Sequence, residues 1–181
     1  MAEQKDKVLT EWTIQETMSY LRSAIGDGSR NKVKLFQAIQ YLASKLNNND
    51  NILEILKASG IDLIFDLIGD TMNIDNCNLQ KGLCTHLIVT CSNPQSKQYP
   101  SQKNGFNNLA QQLKKYINDK DFAIYVCNAV CNVCHDNPKH RDYAINSDIL
   151  EAVCSAMDEH RGKDGGDKVH ESGCMALRNI G

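Results

Sequence analysis

Nine residues near the middle of the chain, CNAVCNVCH from Cys127 to His135, hold three thiols and an imidazole. Spaced Cys-x3-Cys-x2-Cys, Cys127, Cys131 and Cys134 match the arrangement by which many radical enzymes hold an iron–sulfur cluster. A cluster needs thiolates converging on one point, so its ligands normally sit in a loop. On a helix these three fall at i, i+4 and i+7, a single narrow stripe. The ends of that stripe lie about 10 Å apart at the α-helical rise, too spread for one cubane without unwinding. Reduced cysteine is a small, readily buried hydrophobe. Packing is the expected role of the stripe, and neither a metal nor a cofactor is expected.

The remaining reactive side chains read the same way. His86 is expected to be a tolerated, half-buried imidazole. His135, His140 and His160 fall near helix ends, where the dipole accounts for them. Lys139, His140 and Arg141, with Lys114 and Lys115, would form a solvated face rather than a basic ridge. Gly173, inside a helical stretch, is expected to allow close helix packing. The chain carries no phosphate-binding glycine loop, metalloprotease helix or nucleophile in a strand–turn–helix setting. A catalytic thiolate would need an accessible, electropositive niche. A non-enzyme is therefore expected.

The elements that hold these residues are helical. Two of the three prolines follow asparagine, Asn93-Pro94 and Asn137-Pro138, each after an apolar stretch of helical period, a stop followed by a restart. Ile61, Ile64, Leu67 and Ile68 share one helical face. So do Phe106, Leu109, Leu113 and Ile117, and again Ile149, Val153 and Ala156. No alternating, β-branched strand is found. The 181 residues suit one domain or one repeat array, and a net charge of −2 gives no bulk pull toward nucleic acid or membrane. No apolar run opens the sequence and none reaches membrane-spanning length. Eight cysteines then read as thiols of a reducing compartment, cytoplasmic with the nucleus open.

Four segments align on small or apolar residues four apart: AIQYLA from Ala38, HLIVTC from His86, AVCNVC from Ala129 and ALRNIG from Ala176. Their starts differ by 48, 43 and 47 residues, a period that belongs to two- or three-helix repeats. Cys84, Cys127 and Cys174 are equivalent in this register, and so are Cys91 and Cys134. The cysteines recur because the repeat recurs.

Residues 137–181 resemble an armadillo repeat, with a short helix after Asn137-Pro138, a second opening at Asp148-Ile149, and a third ending in CMALRNI. The resemblance extends over 93–134, 51–91 and, partially, 12–46, with HEAT-like repeats the near alternative. It implies an all-α, right-handed superhelical solenoid of about four repeats, a single array over 1–181. In that family the third helices line a concave groove, and an asparagine there bonds the backbone of a bound chain. The matching residues are Asn132 and Asn179, with Tyr41 and Val89 at the other two places. Family members that import basic cargo set tryptophan four residues earlier; here Gln37, Thr85, Asn128 and Met175 stand there, which disfavours such cargo. The candidate partner-binding residues are Asn132, Asn179, Asn128, Arg178, Tyr41 and Gln37.

The function so implied is a non-catalytic protein–protein interaction scaffold or adaptor, holding a protein or peptide segment in the groove. The alternative is a regulatory or oligomerising armadillo domain of a larger signalling protein, sensing a small molecule. No nucleic-acid or membrane partner is expected. The array stops at ALRNIG without a capping helix, so Met175 and Ile180 would be partly bare. A further repeat, or self-association through this C-terminal end, would cover them.

Overall fold

A computed structural model describes residues 12–27, 31–71, 76–99 and 104–181. The N-terminal stretch read for a leader, residues 1–11, lies outside them. The described residues are all-helical and contain no strand. The helices are α1 (Ile14–Ala24), α2 (Lys32–Lys45), α3 (Asn49–Lys57), α4 (Gly60–Asp70), α5 (Cys77–Ser92), α6 (Gly105–Lys115), α7 (Lys120–Cys134), α8 (Pro138–Ile145), α9 (Ile149–His160) and α10 (Gly166–Ile180). A 3-10 turn, Pro94–Gln98, lies between α5 and α6.

Asparagine sets several of the starts. Its short amide accepts from backbone N–H groups that the first turn leaves orphaned. Asn31 caps α2, Asn48 caps α3, Asn76 caps α5 and Asn137 caps α8. Asn93 does the same for the 3-10 turn, and Asp119 for α7. Thr13 and Glu16 form a reciprocal capping box at α1, the threonine hydroxyl accepting from Glu16 N at 3.1 Å and the carboxylate from Thr13 N at 2.8 Å. Pro94 and Pro138 each stand at the first position after their caps, where a missing N–H costs nothing.

The helices pack in two series. One runs from α2 to α5 to α7 to α10; the other runs from α1 to α4 to α6 to α9. The two are joined at α1 with α2, α4 with α5, α6 with α7, and α9 with α10. The helix α3 packs against α1 and α4, α8 against α7, α9 and α10, and the 3-10 turn against α5.

The core follows the repeat register. Ala38, Ala129 and Ala176 are buried, as are Leu42, Thr90, Val133 and Ile180 four residues beyond each start. Ile180 was expected to be partly bare. It faces inward, and only Met175 of that pair is half-exposed. Small residues sit where helices approach. A side chain at Gly173 would meet Met157 Sδ at 2.5 Å, between α10 and α9, the close contact its position predicted. A side chain at Gly105 would overlap the ring of Phe65, at the α4–α6 contact.

Candidate functional site

The cysteine stripe goes into the interior. Cys127 and Cys134 are fully buried and Cys131 is half-buried on α7. Burial pushes the Cys127 and Cys134 thiols up to about 12, and Cys84 in the same direction. Burial also raises Cys131, opposed by the Arg178 charge and the hydrogen bond from Asn179. Thiols so held are protonated at neutral pH and are poor nucleophiles and metal ligands. No group of three or more His, Cys, Asp or Glu side chains suited to a metal occurs among the described residues. The equivalence of Cys174 with Cys84 and Cys127 does not extend to burial. Cys174 is exposed on α10, on the last helix of the series.

His86, His140 and His160 are more buried than their sequence positions suggested, whereas His135 is exposed. His86 is 1% exposed, not half-buried, with Nε2 3.0 Å from the Ile39 carbonyl. A carbonyl can only accept, so Nε2 carries the proton. Burial drives the His86 pKa down to about 4, against a partial upward pull from that hydrogen bond. His140 lies in the first turn of α8, where the dipole disfavours a cation. It is buried, and its Nδ1 bonds Val133 O at 3.0 Å. His160 is buried at the end of α9 and bonds Ile117 O at 2.8 Å. Arg141 donates to Cys134 O at 3.2 Å and Lys114 pairs with Glu151 at 3.5 Å. With His140 inside, these side chains form no basic ridge.

The candidate binding residues separate into three groups. Asn132 and Asn179 are half-buried, and their amides are already engaged. Asn132 Nδ2 donates to Ile88 O and Ser92 Oγ, both at 3.0 Å, and Asn179 Nδ2 to Cys131 O at 3.0 Å and Cys131 Sγ at 3.1 Å. Tyr41 is half-buried on α2, its hydroxyl donating to Trp12 O, with Lys45 Nζ 4.7 Å from its ring centre. Gln37 on α2 and Arg178 on α10 are exposed. Asn128 differs from all of these. It is half-buried, and its side chain makes no hydrogen bond to any of the described residues.

Asn128 lines an open cavity of about 560 Å³ over α5, α7 and α10. Ile88 comes from α5, and Ile124 and Tyr125 from α7; Tyr125 is 37% exposed. The rim is charged, with Lys81 on α5, Asp121 on α7 and Lys168 on α10. Lys81 Nζ donates to Asp119 Oδ2 at 2.9 Å, and Cys77 Sγ lies 3.3 Å from the same oxygen. The other oxygen, Oδ1, caps α7 through Phe122 N at 2.9 Å. Burial works against the Asp119 carboxylate, yet the donors from Lys81, Phe122 and Cys77 outweigh it and hold the carboxyl below its ordinary range. Burial also opposes the Lys81 ammonium, which Asp119 nonetheless holds above its ordinary range. Gln37, Tyr41, Asn132, Asn179 and Arg178 do not line this cavity.

Sequence reasoning named Asn128 but missed the residues around it. The signal was present. Asp121, Ile124 and Tyr125 stand seven, four and three residues before Asn128, on its face of the helix. Lys81 and Ile124 are repeat-equivalent, as are Asp121 and Lys168.

Comparison with family models, with curated proteins and with solved structures returned no match. No described helix is long and apolar enough to cross a membrane.

Proposed function

We propose that the chain is an armadillo-type solenoid of about four repeats that binds a partner segment along the face formed by α5, α7 and α10. The observation that carries this reading is a set of side-chain bonds, each reaching back one repeat to a carbonyl. His86 reaches Ile39, Asn108 reaches Phe65, Gln112 reaches Ile68, Asn132 reaches Ile88, His160 reaches Ile117 and Asn179 reaches Cys131, over separations of 43–48 residues. This is the period of the sequence repeat, and the bonds fall in both packing series. A stack of like units joined only to its neighbours is the defining property of a solenoid. Successive units leave a continuous face, and its side chains engage a partner through a few anchors. The role is non-catalytic, in the cytoplasm or nucleus, where buried thiols stay reduced.

The test is site-specific photocrosslinking in cells. A photoreactive residue is placed at Tyr125 on α7 or, as the control face, at exposed Gln111 on α6. A partner trapped from position 125 and absent from position 111 supports the reading. Equal trapping from both, or trapping from 111 alone, removes the α5–α7–α10 face as the working surface.

A further inference from the structure

We infer that the partner segment is an uncharged, extended peptide, read by Asn128 and anchored by one apolar side chain between Ile88, Ile124 and Tyr125. The inference deepens the proposed binding face and rests on it. Two observations carry it, one of hydrogen bonding and one of charge.

An extended peptide offers alternating N–H and C=O groups, and a primary amide can satisfy one of each. Asn132 and Asn179 have spent their N–H donors on neighbouring helices. Asn128 has spent nothing within the described residues and lines the open cavity, so donor and acceptor are both available there. The reading amide thus stands one helical turn before the position that the repeat resemblance indicates.

The rim around Asn128 balances its own charge. Lys81 is bonded to Asp119 and feels the field of Asp121 as well. Asp119 does not itself line the cavity, but its pairing with Lys81 leaves Lys168 and Asp121 as one cation and one anion on the rim. A highly charged segment would meet no complementary field and would lose hydration on entry. What the cavity offers instead is two isoleucines and a tyrosine face, which reward burial of one aliphatic or aromatic side chain. Asn128 then fixes the backbone, and the balanced rim penalises net charge.

The probe is a displayed library of random peptides panned against the intact chain. Enriched peptides are then measured against Asn128→Ala and Tyr125→Ser, both at positions whose side chains make no hydrogen bond within the described residues. We expect enrichment of segments with no net charge and one recurrent apolar residue. Their affinity should fall about tenfold or more in Asn128→Ala and stay nearly constant as salt rises from ~0.05 to ~0.5 M. Enrichment of strongly acidic or basic peptides with steep salt dependence, still weakened by Asn128→Ala, overturns the neutral partner but leaves the binding face standing. Peptides that bind both variants as well as the natural chain overturn the inference and the binding face together. Failure to enrich any peptide overturns the inference.

Discussion

At position 86 a histidine occupies ground that alanine holds in the three equivalent helices. Ala38, Ala129 and Ala176 are buried without cost, whereas the His86 ring must find a partner or stay neutral. It does both, donating from Nε2 to Ile39 O while Nδ1 is buried without an acceptor or donor. The folded pKa, about 4, lies below the ordinary 6.5. As pH falls below 6.5 the unfolded chain therefore takes up a proton that the folded chain refuses, and stability drops until pH reaches the folded value. Between pH ~7 and ~5 this one residue should cost about 2 kcal/mol. His140, also lowered by burial, acts in the same direction. Urea titrations should show that loss in the natural chain and a clearly smaller one in His86→Gln, which keeps an amide donor for Ile39. Equal losses in the two proteins would show that His86 does not set the pH dependence.

Among the elements, the α7 start ties stability to the site. Asp119 caps α7 and holds Lys81 of α5, so one carboxylate ends a loop and aligns two helices. Loss of such a cap ordinarily costs about 0.5–2 kcal/mol, while a partly solvated ion pair adds little. Asp119→Ala should therefore lower the unfolding free energy measured by urea titration by an amount in that range, and Asp119→Asn, which keeps the capping oxygen, should recover most of it. If Asn is as damaging as Ala, the charge and not the cap is what matters. The helices themselves were largely legible from local signals: Asn-Pro breaks, apolar faces and a recurring Ala-x3-apolar pattern mark helices that form, although Asn93-Pro94 restarts only as a 3-10 turn and α6 ends before Ile117. The site was half legible. Asn128, which lines the cavity, was among the residues named from the sequence, but the Lys81–Asp119 contact spans 38 residues, and no local pattern reports a pairing made by helix packing. The burial of His86, His140 and His160 was hidden for the same reason, since each is paid in a carbonyl bond to a residue brought near by the fold.

For the molecule as a whole, the question is whether the helices melt as one body or as coupled neighbours. α7 packs on α5, α6, α8, α9 and α10, whereas α1 packs on α2, α3 and α4. In a stack whose stability is a sum of unit and nearest-neighbour terms, ends open before the middle. An all-or-none globule instead exchanges its core amides through one global opening. Native-state hydrogen exchange at low denaturant should therefore find the highest opening free energy in α7 and lower values toward α1, in steps that follow the repeats. Removing one of the carbonyl-reaching bonds should sharpen the contrast. Asn179→Ala frees α10 from Cys131, so it should lower protection in α10 and α9 while leaving α1 and α4 unchanged. A uniform drop across every helix would mean that the units are not independently coupled, and the proposed solenoid would have to be given up for a single cooperative bundle.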